Sequence, residues 1–406
     1  MTSSASASVF AAVEMAPRDP ILGLTEAYNA DTRTSKVNLG VGVYTGDDGK
    51  VPLLTPVRIA EKARLEAQLP RGYQPIDGAP AYNQAVQKLV FGADSALLAA
   101  GRVVTIQALG GTGALKVGAD FLKRIAPQAK LYISDPSWEN HRALFESAGF
   151  EVDVYPYYEA KTRGVDFAAM QAKFAAMAPG SIVVLHACCH NPTGADLTEA
   201  QWKTVVDLVR ERKLVAFLDM AYQGFADGIE ADGIAARLFA ESGLSFFLSS
   251  SFSKSFSLYG ERVGALSLVT AGKEETARVL SQVKRVIRTN YSNPPTHGGA
   301  IVAAVLASSE LRALWETELG GMRDRIRAMR TSLVAGLKAQ GLQQDFSFIE
   351  KQRGMFSYSG LTAAQVEKLK TDFGIYAVST GRICVAALNT RNVGYVAEAM
   401  AQVIKA

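Results

Sequence analysis

The sequence predicts an α/β fold: a large domain with a mostly parallel sheet covered by helices, plus a smaller α+β domain. Three observations carry this. Short β-branched runs alternate with helix-period stretches from about residue 103 to 269. Those runs are largely apolar, as strands buried on both faces are. From about residue 274 the pattern turns helical and then breaks into short strands around one helix.

In chain order, VVTIQAL (103–109) reads as a strand and GALKVGADFLKRI (113–125) as a helix. KLYISD (130–135) is the next strand, and WENHRALFESAG (138–149) the next helix. SIVVLHA (181–187) precedes the helix LTEAQWKTVVDLVRER (197–212). LVAFLD (214–219), SFFLSSS (245–251) and GALSLV (264–269) complete the strands of the large block. RVLSQVKRVIRTNYS and HGGAIVAAVLAS are helical on either side of Pro294-Pro295, where the helix must break. A long helical run covers about Ser309 to Gln340. DFSFIE (345–350), MFSYSG (355–360) and RICVAA (382–387) read as short strands around the helix AAQVEKLKTDFG. This division gives a large domain over 46–315 and a small domain over 1–45 and 316–406, with a loose N-terminal arm.

Composition limits the function. With 406 residues, 48% of them apolar, the chain can bury a sizeable core, which excludes disorder. Lys plus Arg number 43 against 39 acids, a net charge of +4, too balanced for a nucleic-acid partner. Three cysteines cannot form a disulfide framework and fit a reducing compartment. No apolar stretch approaches the ~20 residues that span a bilayer, so no membrane partner is expected. The first cation is Arg18, so the N-terminus lacks the charged start of a signal peptide, and a cytoplasmic protein is expected.

Open parallel sheets bind ligands beyond the carboxyl ends of their strands. Gly110-Gly111-Thr112-Gly113 follows the first strand and opens a helix, a place where backbone N–H groups and the helix dipole favour a phosphate. G-x-G-x-x-G is absent, which argues against a dinucleotide. His190-Asn191-Pro192-Thr193-Gly194 follows SIVVLHA. Asp219 ends LVAFLD, with Tyr222 three residues on. Ser251, Ser253, Lys254 and then Arg262 follow SFFLSS. Each feature alone has a plain structural reading: a turn, a surface lysine, a carboxylate paired with an arginine. One ligand explains them together, pyridoxal phosphate. Lys254 would form the Schiff base, Asp219 pair the pyridinium nitrogen, and Asn191 and Tyr222 contact the ring oxygen. The hydroxyls, Arg262 and the glycine-rich helix start would take the phosphate.

On these residues the sequence resembles the class I (fold type I) aminotransferases, in the aspartate/aromatic subgroup. The matching stretches include KVNLGVGVY (36–44), GYQPIDG (72–78), SDPSWENH (134–141), LHACCHNPTGADL (185–197), SFSKSFSLYGERVG (251–264), IRTNYSNPPTHG (287–298), QRGMFSYSGL (352–361) and TGRICVA (380–386). They run in order across nearly the whole chain. The resemblance implies the fold of PLP-dependent transferases of type I. It implies Lys254 as the cofactor-linked lysine and proton shuttle, and Asp219, supported by His141, as the pyridinium partner. Asn191 and Tyr222 become ligands of the ring's 3-oxygen, and Trp138 stacks on the ring. Gly111, Thr112, Ser251, Ser253 and Arg262 form the phosphate site. Tyr73 reaches the phosphate of a neighbouring subunit, which implies a homodimer with shared active sites. Arg382 forks onto the α-carboxylate, and Arg288 comes from the second chain to read a side-chain carboxylate. Gly42 and Phe356 line the substrate pocket, and Trp138 and Asn191 border it.

The implied reaction is ping-pong transamination with 2-oxoglutarate as amino acceptor. SFSKSFSLYGERVGALS and QRGMFSYSG look closer to bacterial aromatic-amino-acid aminotransferases, so tyrosine and phenylalanine are expected as donors alongside aspartate and glutamate. A mainly aspartate-directed enzyme is the alternative, as is a decarboxylation or elimination on the same fold. His186 and His190 flank Cys188-Cys189, but the spacing fits no zinc pattern, and no metal site is expected. His297, Trp202 and Trp315 read as packing residues.

Overall fold

A computed structural model describes residues 8–17, 19 and 21–406. Residues 1–7, the start of the expected N-terminal arm, lie outside them. A seven-stranded sheet forms the centre: β1 (Val103–Leu109), β2 (Leu131–Asp135), β3 (Val152–Pro156), β4 (Ile182–His186), β5 (Val215–Met220), β6 (Phe246–Ser251) and β7 (Val263–Val269). Their spatial order is β1-β7-β6-β5-β4-β2-β3. β7 runs antiparallel to both its neighbours and the other pairings are parallel, so six strands point the same way. The registers align His186 with Asp219 and Asp219 with Ser249, which brings three strand ends level.

The apolar strands are apolar for a reason: β4, β6 and β7 are buried at every position. One core packs helix α1 (Gly110–Ile125) and helix α3 (Lys273–Asn290) on one face, through Leu115, Phe121, Phe217, Val283 and Ile287. Helix α2 (Glu139–Ser147) joins the same face through Leu144 and Phe145. A second, larger core covers the opposite face and continues into the long helix α4 (Ser309–Ala339).

Two small pairings lie beside the sheet. Val37–Asn38 pairs in parallel with Ile375–Tyr376, and Phe356–Tyr358 pairs antiparallel with Arg382–Cys384. Thus the segment KVNLGVGVY is stitched to the C-terminal part of the chain; Cys384 N–H donates to the Leu39 carbonyl as well. DFSFIE does not form a strand. Phe346 and Ile349 are buried on one side of a helical turn over Phe348–Lys351, whose spacing of three suits a helix better than a strand. RICVAA is a strand only over Arg382–Cys384 and then tightens into a 3₁₀ turn. Strand β3 has no counterpart in the sequence reading, because at an edge its first three residues are only half-buried and carry Asp153. No single helix among the described residues is long and apolar enough to cross a membrane.

Candidate active site

The carboxyl ends of β1, β4, β5 and β6 converge on one cavity. Its lining includes Gly111, Thr112, Trp138, His186, Asn191 and Asp219, and also Tyr222, Ser251, Ser253, Lys254 and Arg262. At one end the backbone is shaped to admit an anion. Gly110 begins α1 at φ +68°, and a Cβ there would lie 2.3 Å from Nη2 of Arg262. Only glycine fits both the left-handed backbone and that approach. Ser249 Oγ donates to the Gly111 carbonyl (3.2 Å), which fixes the helix start. Arg262 Nη1 donates to Ser253 Oγ (3.2 Å) and to the Tyr259 carbonyl (3.1 Å). Helix N–H groups, hydroxyls and a guanidinium therefore face one point, a donor set suited to a phosphate.

At the other end lies Asp219, 5% exposed. His141, fully buried, donates from Nε2 to Asp219 Oδ2 (3.0 Å), while its Nδ1 pairs with the Ser137 hydroxyl (2.9 Å). Burial works against a charge on Asp219. The bond from His141 and the nearby positive charge of Lys254 outweigh it, so the carboxyl titrates below its usual range. A buried anion held ionised is what a protonated ring nitrogen requires. His186 lines the cavity with neither ring nitrogen hydrogen-bonded, and burial pushes its pKa well down, so it is a neutral imidazole. His190 is satisfied by Ser134 (2.9 Å) and Thr193 (2.8 Å) and stacks on Tyr157.

Lys254 sits between these ends, its Nζ 4.9 Å from the Tyr222 ring centroid. As a residue Lys254 is half-buried and lines the cavity, but protein atoms crowd its amine end. That burial lowers its pKa to about 8, with Asp219 opposing and Arg262 assisting. Burial pushes the Tyr222 phenol far up, which keeps it a hydrogen-bond donor. The loop carrying Lys254 is anchored by Trp315, whose Nε1 donates to the Ser255 carbonyl (2.6 Å) and whose ring stacks on Phe256.

Arg382 is 1% exposed. It donates to Asn191 Oδ1 (3.1 Å) and to the Gly40 carbonyl (2.6 Å), and its guanidinium lies 4.4 Å from the Phe356 ring centroid. The bond from Arg382 occupies the Asn191 carbonyl and leaves the amide NH2 for the cavity. Gly42 approaches Phe356 so closely that a Cβ would sit 2.6 Å from Cζ. The predicted substrate residues Arg382, Asn191, Gly42 and Phe356 are thus neighbours. Tyr73, 95% exposed, and Arg288, exposed on α3 and bonded to the Ser292 hydroxyl, do not line this cavity. His297 faces Glu61 at 3.6 Å, and Trp202 is buried in a helix core.

The profile of the family described as "Aminotransferase class I and II" matches residues 34–400. The chain belongs to this family. It is 68% identical over 397 residues to an aspartate aminotransferase of Pseudomonas aeruginosa, covering 98% of this chain and all of that one. Among solved structures, an aromatic-amino-acid aminotransferase from Burkholderia pseudomallei, covalently bound to pyridoxal phosphate, is 72% identical. Its TM-score is 0.96, over 98% of this chain and 99% of that one. An aromatic amino acid aminotransferase from Psychrobacter sp. B6, cocrystallised with aspartic acid, is 46% identical with a TM-score of 0.96, over 98% and 100% of the two chains. The aminotransferase fold and the mostly parallel sheet expected from sequence are therefore those of the family.

Sequence reasoning missed two groups. Trp315 packs in the core as the sequence suggests, but its indole N–H also pins the lysine loop from a helix 60 residues away in sequence, which only the fold reveals. Glu139 follows Trp138 and reads as an ordinary acid in a first helical turn. In the fold its Oε2 is 3.8 Å from Nη1 of Arg382. Cys188, Cys189 and Asp232 also come together, but Asp232 is committed to the backbone N–H groups of Gly224, Ala226, Asp227 and Gly228.

Proposed function

We propose that this aminotransferase uses pyridoxal phosphate to move amino groups from tyrosine and phenylalanine, and from aspartate and glutamate, to 2-oxoglutarate. The observation that carries the cofactor reading is the polarity of the cavity: an anion cradle at one end, an ionised buried carboxylate at the other, and a lysine of lowered pKa between. The cofactor, when bound, supplies an aldehyde to take the amino group and a ring to accept the electrons released at Cα. The chain's own residues do the rest. Gly111, Thr112, Ser251, Ser253 and Arg262 hold the phosphate. Asp219, oriented by His141, keeps a proton on the ring nitrogen. Tyr222 and Asn191 donate to the ring's 3-oxygen, and Trp138 covers one ring face. Lys254, neutral once deprotonated, moves a proton between the substrate Cα and the cofactor's C4′.

Arg382 forks onto the α-carboxylate of every substrate. The aromatic walls of Phe356, Tyr222 and Trp138 suit a ring, and relatives named for aspartate and for aromatic substrates are both close to this chain. Tyr73 and Arg288 act from a second copy of the chain, so the functional unit is a homodimer. Within each copy, 46–315 forms the cofactor domain, and 1–45 with 316–406 the smaller one. Three free, buried cysteines suit a cytoplasmic site.

Mixing the PLP-loaded enzyme with tyrosine or with aspartate, without oxo acid, tests the substrate reading. Both convert the cofactor to its amine form at comparable rates. Conversion by aspartate alone makes the enzyme mainly aspartate-directed, and conversion by neither removes this substrate assignment. Arg288→Ala separates the two classes further. It lowers kcat/KM for aspartate by roughly 10- to 10²-fold, the loss of one charge-assisted pair, and for phenylalanine by less than about fivefold. Equal losses in steady-state kinetics remove Arg288 from side-chain recognition.

A further inference from the structure

Arg382 is a buried cation, and a buried cation needs compensation. Its two hydrogen bonds go to neutral groups, Asn191 and Gly40. Its Nε–H has no partner. Among the described residues the one carboxylate paired with it belongs to Glu139, at the first turn of α2. Glu139 Oε2 is itself buried and accepts no hydrogen bond. At 3.8 Å the two groups are attracted but not bonded. A role in the helix start accounts for an acid at this position. It does not account for a buried carboxylate oxygen turned toward the guanidinium and left without a donor.

We propose that Glu139 sets the affinity of the Arg382 site: it occupies the field of Arg382 when no substrate is present, and each incoming carboxylate must displace it. This rests on the reading of Arg382 as the α-carboxylate site. Both half-reactions pass through that site, and each must release a carboxylate product before the next carboxylate enters. A tethered competitor weakens all of these ligands alike and speeds their departure. Uniform weakening of this kind moves KM without helping the chemical step. Glu139 keeps most of its side chain away from solvent, at 30% exposure, so its charge is only partly screened.

Glu139→Gln keeps the shape and removes the charge. Binding of 3-phenylpropionate, a carboxylate with no amino group to react, is measured by titrating the absorbance of the PLP-loaded enzyme. KM for 2-oxoglutarate and for aspartate is measured alongside. Dissociation constant and both KM values fall by about five- to tenfold, the scale of one partly screened charge–charge interaction. The kcat stays level or falls, because release is slower. Glu139→Asp, which retains the charge, keeps KM nearer the parent value. An unchanged or weaker affinity in Glu139→Gln overturns the inference, and so does a kcat loss with KM unmoved. Failure of the underlying reading shows differently: the parent enzyme itself then neither transaminates nor binds 3-phenylpropionate.

Discussion

On the roles proposed for Lys254, Lys254→Ala abolishes transamination, by about 10⁴-fold or more, because one side chain would serve both as nucleophile and as proton carrier. The visible absorbance produced by covalent attachment of the cofactor to Lys254 disappears with it. The fold survives. Removing a buried amine whose charged form is already disfavoured by burial takes away a desolvation cost rather than a packing contact, so thermal unfolding shifts little. The anion cradle does not involve Lys254, and the variant still binds pyridoxal phosphate without a covalent link, measurable by equilibrium dialysis. Wild-type turnover in the variant would sink the assignment. Loss of cofactor binding together with turnover would move the lysine's role from chemistry to affinity.

The lowered pKa gives this prediction a pH dependence with a definite sign. An ordinary lysine is protonated until well above pH 10 and is no nucleophile at neutral pH. Lys254 in the cofactor-free chain loses its proton at about 8. Capture of the aldehyde by the apoenzyme therefore accelerates as pH rises through about 8 and then levels. A stopped-flow series with pH as the variable reads this directly. A rate that keeps climbing toward pH 10 means that burial does not tune this amine.

How much of this was legible in the sequence follows from what each feature depends on. Strands β4 to β7 were legible because burial on both faces leaves largely apolar runs, which in β6 give way to Ser249, Ser250 and Ser251 only at the site end. The residues placed just after those strands were legible as a site, since strand ends fix where their side chains gather. DFSFIE failed because Phe346 and Phe348 alternate as a strand's residues do, whereas the buried pair is Phe346 and Ile349, three apart as in a helical turn. The contacts that Glu139 and Trp315 make with the site were not legible at all. Their partners, Arg382 and Ser255, lie in distant segments, and neither residue type departs from what its own helix would carry. Tyr73 and Arg288 mark the opposite case. Their surroundings in the sequence fit the family, while a single chain leaves both exposed. The roles proposed for them call for a surface supplied by a second copy.

Arg382→Lys lowers kcat/KM for tyrosine, aspartate and 2-oxoglutarate by the same factor, roughly 10- to 10⁴-fold. Lysine keeps the charge but has no planar fork, so at least one of two charge-assisted hydrogen bonds to the α-carboxylate is lost, and each is worth about 1.5–3 kcal/mol. Because every substrate presents that carboxylate, the loss cannot discriminate among them, in contrast to Arg288→Ala. Part of it appears in kcat. Arg382 also holds the Asn191 carbonyl at 3.1 Å, and releasing that bond frees the amide to turn away from the cofactor's oxygen. Combining the substitution with Glu139→Gln exposes the coupling between the two charges. The five- to tenfold gain expected from Glu139→Gln alone shrinks in the Arg382→Lys background, because the guanidinium that Glu139 guards is gone, and contacting residues are not additive. A gain of the same size in both backgrounds places Glu139's influence on the substrate itself rather than on Arg382. A loss confined to aspartate in Arg382→Lys exchanges the roles assigned to the two arginines.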